Sequence, residues 1–599
     1  MIRYTRLAAA PLLAAPLLFA APAIAQVNPT AQAANQPVNR IVVFGDSLAD
    51  GGFFLTLLPT VPRDAGSFTT NPDPVAPEVL AARLGLTLTP VYGQGGTNYA
   101  VGGARVTATN GFAIPITTQI NNFIAAGGTF SATDLVYIQG GGNDYFAFQA
   151  GGSRDNSILT TAANQLAAQV ARVQGLGAQR IVTMAVQTGG AAGLQLYNQT
   201  YAAALGAARV NALYFDTDKL FNEIVANAAS FGITNTTGVA CTVSSSLNCN
   251  RSTLVSPNAN ETYVLADSVH PTGIVQRIQG QAIASLVKAP EQIAGLAYAG
   301  QALLRSQRDL LEAPERGAAH RDGKPIAVFG SAAYHYYASG TTDQRTGVAQ
   351  RAFSGMIGAD LALGALSGVG IAGGYIEGSG DFTLGAGDYR VRAYTASGYA
   401  RAGIGPLRLL ADGTYGDIRY PRITRRVILG PTFRDNRGKT DGDYVAARGT
   451  AAVDLFTAGG VGVGPDLSGQ YERLTIDGYA EDAATSTNAA FGRQRLKSVT
   501  GRASLLVRSL PGSPVGFFAR AGYEREFSDD PRTIVLTPAG APISYTSAVA
   551  RADRSYMSYA MGFDGQVASA LSLRAGVSGY ALRDDRNTVN AYAGLAVAF

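Results

Sequence analysis

Arg40-Ile-Val-Val-Phe-Gly-Asp-Ser-Leu-Ala-Asp-Gly-Gly52 is the stretch that decides the fold. Ile41 to Phe44 is a continuous apolar run, long enough for one buried strand. Gly45-Asp46-Ser47-Leu48 then breaks it. A buried strand that stops at a small-residue turn presents its next side chain at the sheet's C-terminal edge, where open α/β sheets place their ligands. That side chain is Ser47. Taken alone, the tetrapeptide is equally a helix N-cap, since Asp and Ser both favour that position.

From Arg40 onward, apolar strands alternate with amphipathic helices. The pattern predicts strands at Arg40–Phe44, Leu86–Tyr92, Leu135–Gln139, Arg180–Val186 and Ala212–Phe215. Helices are predicted at Ala76–Leu84, Thr117–Ala126, Ile158–Leu176, Leu194–Val210 and Lys219–Ala229. Such alternation specifies a mainly parallel, doubly wound sheet. Two further helices are predicted at Thr272–Lys288, with Pro271 at the first helical position, and at Glu291–Leu311. A charged, breaker-rich boundary, Pro314 to Gly323, follows and contains His320.

Beyond Pro325 the texture changes. Twelve alternating segments of about ten residues recur between Gly/Asp/Asn/Pro turns, from Ile326–Tyr337 to Asn590–Phe599. Tyr and Phe sit near many segment ends, where a membrane aromatic girdle belongs. Length and period match outer-membrane barrel strands. A soluble β-sandwich or β-solenoid is the competing architecture. At 599 residues the chain exceeds one hydrophobic core, in keeping with two unlike halves.

The net charge of +5 lies in the second half: residues 1–320 carry 17 basic and 17 acidic side chains, residues 321–599 carry 30 and 25. The excess is scattered Arg without a nucleic-acid motif, which reads as pore or loop charge. Arg3 and Arg6, an apolar Leu7–Ala21 run and Ala23-Ile24-Ala25 before Gln26 predict an export signal over residues 1–25. Export implies an oxidising compartment, so Cys241 and Cys249, the only two cysteines, read as one small disulfide loop. No metal motif or cofactor motif is visible.

A serine nucleophile needs a base, a group that orients the base, and donors for the oxyanion. Of three histidines, His320 lies in the boundary and His335 in the first barrel segment, at a girdle or lumen position. His270 lies in Leu265-Ala-Asp-Ser-Val-His-Pro-Thr-Gly273, just before a helix. Asp267, three residues earlier, can hold Nδ1–H in a turn, leaving Nε2 to face Ser47. An N-cap Asp beside a surface His is the structural alternative. Leu135-Val-Tyr-Ile-Gln-Gly-Gly-Gly-Asn-Asp144 is a strand ending in a Gly run and Asn143, whose amide is a candidate oxyanion donor. Asn98-Tyr-Ala-Val-Gly-Gly-Ala-Arg105 supplies a Gly pair whose N–H groups can approach a ligand closely.

Gly-Asp-Ser-Leu, Asn-Tyr-Ala-Val-Gly-Gly-Ala, Gly-Gly-Asn-Asp and Asp-Ser-Val-His, in that order and rough spacing over Arg40 to Pro271, resemble the GDSL (SGNH) hydrolases. The resemblance implies a flavodoxin-like sheet, Ser47 as nucleophile, and His270 as base with Asp267 as its partner. It further implies an oxyanion hole formed by the Ser47 N–H, a Gly N–H and the Asn143 side chain; counting from Asn98 puts the Gly at 103, with Gly102 second. Ala49-Asp-Gly-Gly-Phe53 departs from the polar residue, Asp, any residue, Gly and Asn of many members. The second half, with the export signal, bridging helix and Phe599, resembles the translocator of autotransporters (type V secretion).

Together these imply a flavodoxin-like α/β passenger followed by a 12-stranded transmembrane antiparallel barrel with a helix through its lumen. The expected division is signal peptide 1–25, hydrolase passenger 26–288, linker helix 289–320 and barrel 321–599. The expected activity is cell-surface carboxylester hydrolysis through an acyl-enzyme, on an ester or lipid substrate, by a monomer held in outer-membrane lipid after the barrel-assembly machinery inserts it. An acetyl esterase acting on surface glycans, an inactive adhesin-type passenger and a plain porin-like channel are the alternatives. Neither nucleic acid nor cofactor is expected.

Overall fold

The computed structural model describes residues 37–599 except 56, 313–322, 511–514, 529, 552, 584 and 585. The export signal and His320 lie outside the described residues. The N-terminal half is built on four parallel strands in the order β1-β2-β3-β4: Arg40–Phe44, Asp134–Ile138, Arg180–Met184 and Leu213–Phe215. Their period-2 alternation divides two cores. Ile41 and Val43 face one side, with helices α1 (Ala76–Arg83), α6 (Thr217–Ala226) and α7 (Gly273–Arg308). Val42 and Phe44 face the other, with α2 (Ile116–Ala125), α4 (Ser157–Gly175) and α5 (Ala192–Ala208). The sheet is thus covered on both faces, as parallel sheets require.

Leu86–Tyr92 is not the second sheet strand. The turn at Gly93–Gly96 folds the chain back, and Thr97–Tyr99 lies beside β1 instead, through Val43 N–H to Thr97 O (3.1 Å) and Tyr99 N–H to Val43 O (2.8 Å). Pro90 pairs only with the outer side of that segment, at Asn98. Counted as a strand, Thr97–Tyr99 gives the order 2-1-3-4-5 of flavodoxin-like folds, with β1 at the switch point.

Two further expectations need correction. Thr272–Lys288 and Glu291–Leu311 are one 36-residue helix, α7, with Pro290 inside it. Buried surroundings along both halves hold α7 together across the missing N–H of Pro290. Pro271 precedes the helix: Thr272 is the N-cap, and Pro271 pairs with Leu265. A helix over Gly142–Ala150 (α3) went unpredicted, because its Gly-Asn-Asp start resembles a turn.

The C-terminal half is a closed antiparallel barrel of twelve strands: β5 (Ile326–Ser339), β6 (Val348–Ala362), β7 (Gly368–Phe382), β8 (Gly387–Ile404), β9 (Leu407–Leu429), β10 (Thr432–Val453), β11 (Val461–Ile476), β12 (Gln494–Ser509), β13 (Val515–Glu526), β14 (Ser555–Ala568), β15 (Leu571–Ala581) and β16 (Arg586–Ala598). Pairing of β16 with β5 closes it, leaving no open barrel edge to face lipid. Burial alternates along each strand; in β8, Tyr389, Val391, Ala393, Thr395, Ser397 and Tyr399 point inward and Tyr394 outward. Phe353, Ile357, Ile371 and Leu505 are exposed on the outer wall, where Tyr334 meets Phe353 and Tyr375 meets Tyr394.

The second half of α7 fills the lumen. No helix among the described residues is long and apolar enough to cross a membrane, and the polar residues of α7 find lumen partners instead. Arg305 Nε donates to Glu472 (2.9 Å), Gln301 to Glu472 (3.0 Å), and Arg308 lies 3.3 Å from Glu472. Beyond α7, Asp309 and Glu312 accept from Arg448 at 2.8 and 2.7 Å. A buried charge is tolerable only when paired in this way. His335 is a lumen residue, held between Asn590 and Ser354 (3.0 and 2.7 Å).

Candidate active site

The turn after β1 is held from several sides. Gly45 exchanges two hydrogen bonds with the Gln119 side chain (2.9 and 2.8 Å), fixing the end of β1 against α2. The Asp46 carboxylate accepts from the Leu48 N–H (3.1 Å) and Gln139 (2.5 Å). Asn98 donates to Ala49 O (2.8 Å). Ser47, 8% exposed, emerges from this turn. Its Oγ lies 2.9 Å from His270 Nε2, and His270 Nδ1 lies 2.8 and 3.0 Å from the two Asp267 oxygens.

Asp267 is buried and accepts three backbone N–H groups as well: His270 (2.8 Å), Val269 (2.9 Å) and Ser246 (2.7 Å). Burial pushes its carboxyl up, but the hydrogen bond and charge of His270, with these N–H donors, outweigh that and hold it well below the usual carboxylate range. Ser246 lies in the short loop closed by Cys241 and Cys249, whose sulfurs are bonded with Cα atoms 5.9 Å apart. That loop packs on Ala266 and so carries a donor to the Asp267 carboxylate.

Asn143 sits in the first turn of α3 and donates to Ala104 O (3.1 Å), bringing its amide onto the Gly102–Gly103 loop. Asp144 clamps the same loop through Arg105 and the Val106 N–H, both at 3.0 Å. Gly103 has φ +81°, a conformation that suits glycine.

Asp50 was not singled out in the sequence. Fully buried, it accepts from Gly52 and Phe53 N–H (2.9 and 2.7 Å) with one oxygen and from Gly102 N–H (2.8 Å) with the other. It therefore ties the serine turn to the glycine loop. Burial raises Asp46 and Asp50 to about 6, and Glu78, hydrogen-bonded to Val75 N–H (2.9 Å), to about 7. Phe68 also escaped notice; its ring packs 5.0 Å from the His270 ring and 6.0 Å from Phe54. Phe53 and Phe54 are buried in a small cluster with Val61, Ala65, Val101 and Ala113.

The N-terminal ends of the strands face the barrel. Val38 bonds Gln344 of the β5–β6 loop (2.5 Å), and Asn211 exchanges two bonds with Thr546 of the β13–β14 connection (3.0 and 2.7 Å). The Ser47 edge therefore points away from the membrane half.

Residues 41–283 match the family described as GDSL-like Lipase/Acylhydrolase, and residues 328–578 the Autotransporter beta-domain. Esterase EstA of Pseudomonas aeruginosa is 26% identical over a 656-residue alignment covering 97% of this chain and 98% of that protein. Lipase 1 of Photorhabdus luminescens is 22% identical over 637 residues, covering 90% and 93%. Among solved structures, the translocator domain of autotransporter NalP from Neisseria meningitidis aligns at 14% identity over 51% of this chain and 99% of that one, with a TM-score of 0.42. The chain is a GDSL-like lipase/acylhydrolase joined to its own autotransporter outer-membrane β-domain.

Proposed function

We propose that this chain is a cell-surface carboxylester hydrolase, with Ser47 as nucleophile, His270 as general base and Asp267 as the orienting carboxylate. The observation that carries the reading is His270, bridging Ser47 Oγ at 2.9 Å and Asp267 at 2.8 Å. Ser47 Oγ attacks the ester carbonyl while Nε2 takes its proton; Asp267, held ionised, fixes the tautomer and stabilises the imidazolium. The tetrahedral oxyanion accepts from the Ser47 N–H, the Gly103 N–H and the Asn143 amide. His270 then protonates the departing alcohol, and water, deprotonated by the same imidazole, releases the acid from the acyl-enzyme.

The names of the relatives, an esterase and a lipase, agree with ester substrates. The orientation supports exposure to the medium: the site lies on the passenger edge opposite the barrel. The division proposed is signal peptide 1–25, hydrolase passenger 26–288, linker helix 289–320 and barrel 321–599. Ser47→Ala should abolish p-nitrophenyl ester hydrolysis on intact cells while the barrel still inserts. Substantial turnover by a folded Ser47→Ala chain would overturn the assignment.

A further inference from the structure

The hairpin of β9 and β10 is the longest in the barrel, 23 and 22 residues against 11 to 18 for the other barrel strands. Its ladder slips between Tyr420 and Ile423, where Pro421 lacks an N–H to donate. The bulge bends the hairpin, and β8 accompanies it no further than Ala386, which accepts from the Arg426 N–H (2.8 Å). The remaining tip leans onto the passenger.

The contacts there are built, not incidental. Ile423, Val427 and Leu429 share one buried cluster with Phe231, Ile233, Ile274 and Ile278 of the passenger. At the tip, Gly430 comes so close that an added Cβ would lie 3.0 Å from Ile274 and 3.1 Å from Ile278. Its N–H donates to the buried Gln281 (2.6 Å). Arg434 pairs with Glu223 at 3.0 Å. Ile274, Ile278 and Gln281 line the first turns of α7, which begins three residues after His270 and is tied back through Thr272 N–H to Val264 O (3.0 Å).

We propose that this hairpin tip is a buttress for the hydrolase: the translocator seats the start of α7, and with it the His270 loop, so that the heat stability of the activity is supplied in part by the barrel. The importance of the His270 loop rests on the triad reading, but the test does not, since it follows ester hydrolysis whichever residues perform it.

Leu429→Ser in the full-length chain, purified in detergent, is the test, with barrel integrity followed by heat-modifiable gel migration. The midpoint temperature for loss of p-nitrophenyl ester hydrolysis should fall by about 5 °C or more, with faster hydrogen exchange over Ile274–Gln281. An unchanged midpoint and unchanged exchange above a folded barrel would overturn the proposal. Should Leu429→Ser fail to insert, Gln281→Leu, which strips Gly430 N–H of its acceptor from the passenger side, is judged by the same two readouts.

Discussion

Gly102→Ala examines how tightly His270 is packed. An added Cβ would lie 2.1 and 2.4 Å from Phe68 Cε2 and Cζ, and 3.0 Å from Phe54. Carbon atoms prefer about 3.5–4.0 Å, so Phe68 must give way by about 1.4 Å or more. One side of its ring is against Phe54 and another against His270, 5.0 Å between centroids. Movement toward His270 disturbs the 2.9 Å contact to Ser47. A displacement of about 1 Å at a reacting group costs roughly 100-fold, or about 2.7 kcal/mol of barrier. Gly102 has an ordinary backbone conformation, so alanine adds no torsional strain, and overpacking should cost about 1–3 kcal/mol of stability. Steady-state hydrolysis of p-nitrophenyl butyrate should show kcat down on the order of 100-fold. Adding Phe68→Ala should recover part of that loss by making room, a coupling expected of touching residues. A folded Gly102→Ala chain with kcat within about twofold of the parent would refute the packing argument.

Asp50→Asn removes one acceptor and points an amide donor at a backbone N–H. We expect kcat to fall about 10- to 100-fold with little change in KM, and a trifluoromethyl ketone, which mimics the oxyanion, to bind more weakly; equal inhibition of both proteins would count against Asp50 aligning the glycine loop. The passenger's pH response follows from its buried carboxyls. Asp46 and Asp50, raised to about 6, and Glu78, raised to about 7, bind more protons folded than unfolded above about pH 4. Their contribution therefore declines as pH rises through 6–7, so the temperature of activity loss should be higher at pH 5.5 than at pH 8, and Glu78→Gln should flatten the difference. Asp267 acts in the opposite direction: its depressed carboxyl stabilises above about pH 4, and that contribution is lost as pH falls below it. A parent protein more heat-resistant at pH 8 than at 5.5 would contradict the assigned directions.

The barrel was the most legible part of the sequence, because inward and outward residues alternate over twelve segments and each overlaps an observed strand. The juxtaposition of Ser47, His270 and Asp267 was legible for a different reason: Asp267 and His270 are three residues apart, and Ser47 lies in the turn after an unmistakable buried strand. Long-range placement was not. Thr97–Tyr99 displaces Leu86–Tyr92 beside β1 because of how the Gly93–Gly96 turn folds. Pro290 marked a helix boundary by local rules, whereas packing along both halves of α7 overrides it. Ser246 reaches Asp267 only once the Cys241–Cys249 loop has closed, and no local pattern announces that. Phe68 is one aromatic among 24 phenylalanines until its position over His270 is seen.

The central claim is a Ser47 nucleophile presented outside the cell. Intact cells carrying the full-length chain would be treated with a charged, membrane-impermeant alkylphosphonate p-nitrophenyl ester, and the protein digested and mapped by mass spectrometry. The account predicts one phosphonyl adduct, on Ser47, formed without permeabilising the outer membrane, in step with loss of ester hydrolysis, and absent in Ser47→Ala. An adduct on another residue that tracks the loss of activity, or labelling of Ser47 only after permeabilisation, would contradict it.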